Sequence, residues 1–364
     1  MKTVNLPLAG TALALLTLGA STQALADEAF EREVRNRLEK LEQIRTVDAP
    51  SGNNLLGDKL TLEGLVEIEG VVGEGFDDES YSDLVVATVE LVMNAQLNDK
   101  VAAELAFLYE EDETDLDVDV ATLAFADLIG PVDMLIGKQY LPFGRFETAL
   151  VNDTLVLELA ETRKTAALFG LQQDGLTLGA YVFDGSVDRE QNVENYGFTL
   201  NFEQDNLQAG VDYISSLAES DALADLADEL GADLESDDGA FAVSGQLDLE
   251  GVKIIAEYLT AVDDIEWAGP GPVTLERQPS ALQVELDFAA TIQQRQYTFG
   301  FAIQETDEAG GLSPEQRISI GGGTEIYPNV ALTVEFWHDE DYDQADGGTD
   351  ESTDNVVVQL AAAF

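Results

Sequence analysis

The chain has 364 residues, no cysteine, and 72 acidic against 17 basic residues, a formal net charge of −55. This charge excludes the phosphate backbone of nucleic acid as a main partner. The lack of cysteine excludes disulfides, thiolate metal sites and a thiol nucleophile. The acidity has two interpretations that can hold together, adaptation to high salt and a surface that attracts cations.

The first 26 residues, MKTVNLPLAGTALALLTLGASTQALA, have a basic start, an apolar stretch and an Ala-Leu-Ala ending. This pattern predicts a secretory signal peptide. No later apolar run approaches the roughly 20 residues that a membrane-spanning helix needs, so any crossing of a membrane must be made by strands.

Residues 27–47 place Phe30, Val34, Leu38 and Leu41 at alternating spacings of four and three. The spacing predicts a short amphipathic helix, which at about three heptads is marginal on its own. It is either a solvated periplasmic helix or a coiled coil that joins subunits. Residues 48–59 are interpreted as a linker.

From Leu60 to the end of the chain, apolar and polar residues alternate with a period of two, as in LVVATVELVMNAQL at 84–97. Such alternation is typical of half-buried strands. Turn signals divide the region into about sixteen segments, and tight turns alternate with long polar connectors. Tight turns at one end and long loops at the other are typical of a transmembrane barrel with an even number of strands. The long connectors are 74–81, 140–162, 217–238, 264–278 and 340–353.

The last segment, NVVVQLAAAF, ends on Phe364, on the same face as Val356, Val358 and Leu360. A terminal aromatic residue on that face is typical of the signal that the barrel-assembly machinery recognises. The sequence therefore predicts an all-β fold, an antiparallel transmembrane β-barrel of about 16 strands over residues 60–364. We expect it in the outer membrane of a Gram-negative bacterium, among lipid and lipopolysaccharide, with the N-terminal helix in the periplasm. A soluble secreted β-protein would leave these apolar faces in water.

If the apolar face meets lipid, the opposite face lines a water-filled lumen that at about sixteen strands is wide enough for a channel. Carboxylates dominate this face, and Lys253 is one of its few bases. Because rings of carboxylates concentrate cations, the pattern predicts a cation-preferring diffusion pore. The acids assigned to the lumen are Glu67, Glu69, Glu90, Glu104, Asp117, Asp119, Glu203, Asp212, Glu257, Glu285, Asp287 and Glu335.

The connector at 140–162 is too long and too apolar for a solvated external loop, so we expect it to fold inward against the wall. Pro142 and Gly144 supply a bend, and Phe143 and Phe146 are candidate anchors. Scarce bases and several acids surround the bend, and across a constriction they would impose a transverse field on permeating solutes. The alternative is that the bases only pair with nearby acids and hold the loop. The bases are Lys138, Arg145, Arg163 and Lys164, and the acids are Glu147, Asp153, Glu158 and Glu161.

The stretch GKQYLPFGRFETALVNDTLVLELAETRKTAALFG, residues 137–170, resembles the LbtU-family siderophore porins. Thr154 and Val156 depart from the residues common at those places in the family. The resemblance implies an outer-membrane channel for ferric siderophores that works without an energised plug domain. Porin precedent also favours a homotrimer. The likeness is carried by Gly137, Pro142 to Gly144, Phe146 to Thr148, Asp153, Leu155, Glu158 and Glu161 to Arg163.

No enzyme activity and no cofactor are predicted. His338 is the only histidine, and the sequence places no serine or acid in a recognisable relation to it. The acid-rich stretch 338–352 has Gln344 where a calcium-binding EF-hand loop needs glycine. In the connector at 217–238, Leu223 and Leu226 share a helical face that predicts a loop helix packed on the rim. A non-transporting barrel that serves as an anchor or an adhesive surface stays open as a second function class.

Overall fold

The computed structural model describes residues 60–77, 79–111, 114–187, 193–230, 233–234, 239–268 and 274–364. The predicted signal peptide, N-terminal helix and linker lie outside the described residues. Neither of the two helices in the described part of the chain is long and apolar enough to cross a bilayer.

Sixteen of the strands in the described residues pair in antiparallel fashion and close into a barrel, which confirms the predicted number and arrangement of strands. Closure is made by β1 and β19, and the short strands β10, β13 and β14 form a separate sheet. The strands are β1 (Leu60–Glu74), β2 (Ser80–Asn98), β3 (Val101–Glu110), β4 (Thr114–Ile129), β5 (Val132–Tyr140), β6 (Arg163–Gln173), β7 (Leu176–Phe183), β8 (Asn195–Gln204), β9 (Leu207–Ile214), β10 (Asp233–Leu234), β11 (Ala240–Leu249), β12 (Val252–Ala261), β13 (Ile265–Ala268), β14 (Thr274–Arg277), β15 (Ser280–Ile292), β16 (Arg295–Asp307), β17 (Gln316–Tyr327), β18 (Val330–Glu340) and β19 (Ser352–Ala363). The helices are α1 (Leu155–Ala160) and α2 (Asp221–Leu230).

The two ends of the barrel differ, as the connector lengths predict. At one end all seven hairpins of the barrel are joined by two residues, and β1 begins and β19 ends there as well. The turn at Asp174 and Gly175 has φ of 52° and 78°, the left-handed backbone that such tight hairpins require. The longer connectors lie at the opposite end.

The two faces of the strands differ in exposure. On β19, Val356 and Val358 are exposed, whereas Asn355 and Val357, which alternate with them, are buried. The same alternation sets exposed Phe198 and Leu200 of β8 against buried Thr199. The outer face is therefore apolar and uncovered, and the polar residues of the strands face inward.

The barrel interior holds a hydrophobic core. Phe143 and Leu159 of the β5–β6 connector and Leu223 of α2 pack with inward-facing wall residues such as Phe183 and Leu259. Each of these five side chains is no more than 1% exposed. Burying a side chain of this size contributes about 1.5–3 kcal/mol. The helix predicted in the connector after β9 is thus observed, and its apolar face belongs to this interior core.

The seam of the barrel is closed by the end of the chain. Gly64 and Phe364 exchange two backbone hydrogen bonds of 2.8 and 3.0 Å. A Cβ on Gly64 would stand 2.5 Å from the ring of Phe364, so glycine leaves the space that this ring occupies. The role of Phe364 as an assembly signal stays a prediction.

Candidate pore constriction

The connector of residues 141–162, here called the crossing loop, spans the barrel interior. In the strand order, β16 lies directly opposite β5, the strand from which the loop starts. The backbone N–H of Leu155 nevertheless donates to Oε1 of Gln304 in β16, at 2.6 Å. The loop then returns to β6, where Leu141 N–H donates to the carbonyl of Thr162 at 2.8 Å.

The first half of the loop is held by carboxylates of β9 and β12. Gly144 N–H donates to Asp212 Oδ2 at 3.2 Å. The N–H groups of Arg145 and Phe146 donate to the two oxygens of Glu257, at 2.6 and 2.9 Å. Asp212 and Glu257 are no more than 3% exposed. These two lumen acids therefore face the loop backbone rather than open water.

Carboxylates of β15 and β18 hold the middle of the loop in the same way. Glu285 accepts from the Thr148 hydroxyl and the Ala149 N–H, both at 2.7 Å. Glu335 Oε2 accepts from the N–H groups of Val151 and Asn152 at 2.5 and 3.0 Å, and its Oε1 accepts from the Asn152 side chain at 3.3 Å. An irregular segment inside a barrel needs acceptors for its N–H groups, and one carboxylate serves two or three donors.

The bend of the loop depends on glycine. Gly144 has φ 89°, and a Cβ there would lie 2.4 Å from the Phe146 ring and 3.2 Å from Glu257. Phe143 is 1% exposed and Phe146 packs against the interior core. The Pro142 to Gly144 turn thus directs the N–H groups of Arg145 and Phe146 toward Glu257. It also buries the Phe143 ring fully and the Phe146 ring in part.

The second half of the loop forms α1. Thr154, at a position where the resembled family commonly has proline, accepts from Leu157 N–H at 3.0 Å through its hydroxyl and caps the helix. Leu155, Val156 and Leu159 are fully buried. The Thr154 hydroxyl therefore caps the N-terminus of α1, and the Val156 side chain packs in the interior core.

The predicted bases bind acids at short range. Within the predicted set, Arg145 pairs with Glu147 at 2.5 Å, and it also donates to Gln208. The other three bases pair with acids of the wall or of a neighbouring connector. Lys138 pairs with Asp117 at 3.1 Å, Arg163 with Asp119 at 2.6 Å and Lys164 with Glu219 at 3.0 Å. These contacts favour the alternative in which the bases pair with nearby acids, and Arg145 is the one of the four that lies within the crossing loop.

Arg317 of β17 contacts the crossing loop and was not identified from the sequence. Its Nε and Nη2 donate to the two oxygens of Asp339 at 2.9 and 3.1 Å. Its Nη1 donates to Glu158 Oε1 at 2.6 Å and to the Asp153 carbonyl at 3.2 Å. Burial raises the pKa of Glu158, and this guanidinium offsets part of that rise. Arg317 shares the inward face of β17 with Ser319. A single base on an inward face is the sequence signal that could have identified Arg317.

Glu161 joins the crossing loop to the connector after β9. Its carbonyl accepts from Asp221 N–H at 2.8 Å, and Asp221 Oδ1 accepts from Arg163 N–H at 3.2 Å. Burial raises the pKa of Asp221, against the opposing effect of Arg163 N–H and of Lys164. The start of α2 is thereby fixed to the end of the crossing loop.

The wall made by β1–β4 receives none of the loop hydrogen bonds described above. Inward-facing Glu69 accepts from Gln359 at 2.9 Å, and Glu90 is buried at 8% exposure. Residues 60–129 contain 19 acids and one base, Lys100, which pairs with Asp127 at a tight turn. Cross-strand pairing places Glu67, Glu69, Glu90 and Glu104 on the inward face of this wall, so the side of the lumen away from the crossing loop is acidic.

The twelve predicted lumen acids thus fall into separate groups, which alternation alone could not tell apart. Asp287 is 4% exposed and lies beside Glu285, and Glu203 accepts from Gln208 at 3.4 Å. Tyr140 and Arg163 both donate to Asp119. The acids that bind the crossing loop are Asp212, Glu257, Glu285 and Glu335; those of the β1–β4 wall are Glu67, Glu69, Glu90 and Glu104; those paired with a base are Asp117 and Asp119.

His338 has acidic neighbours that the sequence order conceals. Cross-strand pairing places Asp354 opposite it, with Nδ1 2.8 Å from Oδ1, a proximity that the sequence order does not reveal. The pair is open to solvent, since the two side chains are 33% and 65% exposed. Among the described residues no group of three or more His, Asp or Glu side chains has a metal-binding arrangement.

Similar sequences occur in at least two bacterial species. No family model matches the chain. A UPF0422 protein of Coxiella burnetii is 24% identical over 326 residues, 83% of this chain and 69% of that protein. A UPF0422 protein of Legionella pneumophila, lpg2959, is 26% identical over 360 residues, 84% of this chain and 66% of that protein.

Solved structures share the barrel. An anion-selective porin from Comamonas acidovorans superposes with a TM-score of 0.60, at 11% identity, over 84% of this chain and 99% of that one. OmpF of Salmonella typhi gives 0.60 at 14% identity, over 85% and 98%. The outer membrane channel DcaP of Acinetobacter baumannii gives 0.60 at 12%, over 86% and 100%. The chain has the fold of outer-membrane porins. These neighbours are channels and not enzymes.

Proposed function

We propose that the protein is a porin, a passive channel across the outer membrane of a Gram-negative bacterium, and that it prefers cations. One observation carries the proposal: a closed barrel with an exposed apolar exterior, an inward polar face and a loop across its interior. An apolar exterior of this extent needs lipid to cover it.

The proposed path runs between the crossing loop and the wall of β1–β4. The loop occupies the side of β9, β12 and β15 to β18, where the anchoring acids are engaged. The uncovered side carries Glu67, Glu69, Glu90 and Glu104. Fixed carboxylates beside a narrow aqueous path attract cations and repel anions.

The resemblance of the loop motif to siderophore porins supports a ferric siderophore as the specific cargo. An acid-lined path would select cationic or neutral ferric complexes over anionic ones of the same size. Liposome swelling with matched neutral, cationic and anionic ferric complexes measures this directly. Faster entry of the anionic complex would contradict this choice of cargo.

Reversal potentials in planar bilayers test the channel itself. In a salt gradient we expect a cation-preferring potential, which weakens when Glu67, Glu90 and Glu104 are replaced together by glutamine. Replacement of Glu351, an exposed acid of the β18–β19 connector, is the matched control and should leave the potential unchanged. An anion-preferring potential in the unaltered protein would reject the proposed selectivity.

The interior core favours a second candidate. Buried side chains of the crossing loop and α2 fill part of the barrel. A barrel filled far enough to block ions would serve as an anchor or an adhesive surface. Purified protein that inserts into bilayers but never conducts would support this candidate over the channel.

The proposal includes targeting and assembly. Residues 1–26 would direct export and residues 27–47 would lie in the periplasm, free or as a coiled coil. Phe364, 73% exposed at the end of the last strand, would be read by the barrel-assembly machinery. A homotrimer is expected by analogy with porins, and the mass of the detergent-solubilised complex tests it.

A further inference from the structure

We propose that two glycines of the barrel wall, Gly300 of β16 and Gly321 of β17, determine the size of the largest solute that the channel admits. They do so by fixing how closely the crossing loop lies against the wall. The two residues are here called the glycine notch. The inference rests on the proposed channel and deepens it, because it assigns size selectivity to particular residues.

The tip of the crossing loop passes over four adjacent strands. Glu285 of β15 accepts the Ala149 N–H at 2.7 Å, and Glu335 of β18 accepts the Val151 N–H at 2.5 Å. Strands β16 and β17 lie between these two strands in the barrel. Leu150 is the residue between the two anchored N–H groups, and its side chain contacts the wall at β16 and β17.

The Leu150 side chain occupies space that only glycine leaves free. Gly300 and Gly321 are directly paired across β16 and β17. A Cβ on Gly300 would lie 2.9 Å from Cδ2 of Leu150 and 3.2 Å from its Cγ, and a Cβ on Gly321 would lie 2.8 Å from the same Cδ2. Because carbon atoms pack at about 3.5–4.0 Å, a side chain at either position would overlap with Leu150. Leu150 is 5% exposed, so it fills the notch.

Backbone conformation does not explain these two glycines. Neither Gly300 nor Gly321 has a positive φ, and both lie within antiparallel pairs of regular register. Glycine weakens the interior of a strand, and it is found there where a ligand or another segment approaches closely. The approach of Leu150 is such a case. The glycines are therefore required by the loop and not by the strands.

Larger side chains bound the notch on both sides. Asp287 pairs with Gly300, and Glu335 pairs with Gly321. A Cβ on Gly300 would lie 3.3 Å from Oδ1 of Asp287, and one on Gly321 would lie 3.3 Å from Cβ of Glu335. Thr298, the next inward residue of β16 toward the tight turns, is exposed. The notch is thus a short depression, and the wall beyond it is open to the lumen.

The depth of the notch controls the width of the proposed path. That path runs between the crossing loop and β1–β4, whereas Leu150 points to the opposite wall. A methyl group on Gly321 would require the 2.8 Å approach to lengthen by about 1 Å to reach ordinary contact. The loop tip would then move away from β16 and β17 and toward the path. A narrower path excludes large solutes before small ones.

Liposome swelling with neutral sugars of increasing size tests the notch without interference from charge. A pentose, a disaccharide and a trisaccharide are compared on the purified full-length protein. In Gly321→Ala we expect slower entry and a larger proportional loss for the trisaccharide than for the pentose. Gly245→Ala is the matched control, because its added Cβ lies on the outer face of β11 with its nearest neighbour 3.8 Å away. It should keep the size dependence of the unaltered protein.

A second variant, Leu150→Ala, should have the opposite effect. It removes Cγ and both Cδ atoms from the notch, so the loop tip can settle toward the wall. The trisaccharide should then enter faster relative to the pentose. Leu150→Ala combined with Gly321→Ala should return the ratio of the two rates toward that of the unaltered protein. Heat-dependent mobility on gels shows whether each variant forms a closed barrel, and Leu150→Ala decides the matter if Gly321→Ala does not fold.

The outcomes separate the notch from the channel. A folded Gly321→Ala with the size dependence of Gly245→Ala would overturn the notch and leave the channel intact. Equal losses for the pentose and the trisaccharide would do the same, because they indicate fewer conducting molecules and not a narrower path. An unchanged ratio in Leu150→Ala would also overturn the notch. A protein that admits not even the pentose would overturn both.

Discussion

Arg317 shows how much of the site can depend on one residue. It is 8% exposed, and it binds the carboxylates of Asp339 and Glu158 and the carbonyl of Asp153. Removal of one partner from a buried ion pair leaves the others uncompensated, which typically costs about 3–5 kcal/mol. The second half of the crossing loop therefore depends on this guanidinium.

Replacement of Arg317 tests that dependence. We expect Arg317→Gln to lower the free energy of unfolding by about 3 kcal/mol. Urea titration in detergent, followed by the heat-dependent mobility of the barrel on gels, measures the change. Arg295→Gln, at an exposed tight turn, is the matched control and should change stability little. Equal stability of the two variants would contradict the role of Arg317.

At the long-loop end of the barrel, Glu219 joins the connector after β9 to the β7–β8 connector. It accepts from the N–H groups of Ser186 and Val187 at 2.7 and 3.0 Å, and it pairs with Lys164. Burial alone would raise the pKa of Glu219, but these donors together hold it below its ordinary value. The ionised carboxylate is thus the form that ties the β7–β8 connector to the connector after β9.

The sign of the pH dependence follows from that lowered pKa. Because the unfolded connector binds a proton more readily than the folded one, the contribution of Glu219 is complete above the unfolded pKa. It is lost as pH falls through the folded pKa. We expect hydrogen exchange at Ser186 and Val187, corrected for intrinsic rates, to speed up over that range. Glu219→Gln should exchange fast at every pH, and a variant with unchanged protection would refute the link.

The strands and turns were predictable because the residues that specify them are close together in the sequence. Alternation with a period of two identifies each strand, and residues such as Asp174 and Gly175 mark a tight hairpin. The anchors of the crossing loop were not predictable in this way. Gly144 contacts Asp212 and Val151 contacts Glu335 through the closed barrel, although each pair is far apart in the sequence. Alternation says that an acid faces inward, but not whether water or a backbone N–H lies opposite it.

For the molecule as a whole, the net charge of −55 is the dominant electrostatic property. Because the chain has 72 acids and 17 bases, pairs such as Arg163 with Asp119 engage only a minority of the acids. Screening shortens the range of repulsion from about 10 Å at 0.1 M salt to about 3 Å at 1 M. We expect the urea midpoint of the barrel to rise between these concentrations.

The identity of the salt separates the two interpretations of the acidity. Sodium chloride and choline chloride should raise the midpoint equally if screening is responsible. A larger effect of sodium would indicate cation binding at particular carboxylates. A midpoint that falls with salt would contradict the expected relief of repulsion.

The seam between β1 and β19 places both ends of the barrel chain at the same rim. Leu60 and Phe364 leave the barrel at the rim of the two-residue hairpins, while the β18–β19 connector lies at the other rim. A fluorescent label on Asp99→Cys, in the two-residue hairpin between β2 and β3 at the same rim, and an epitope inserted at residues 341–351 would therefore report from opposite sides of a sealed vesicle. One doubly marked molecule can thus reveal which way the chain inserted.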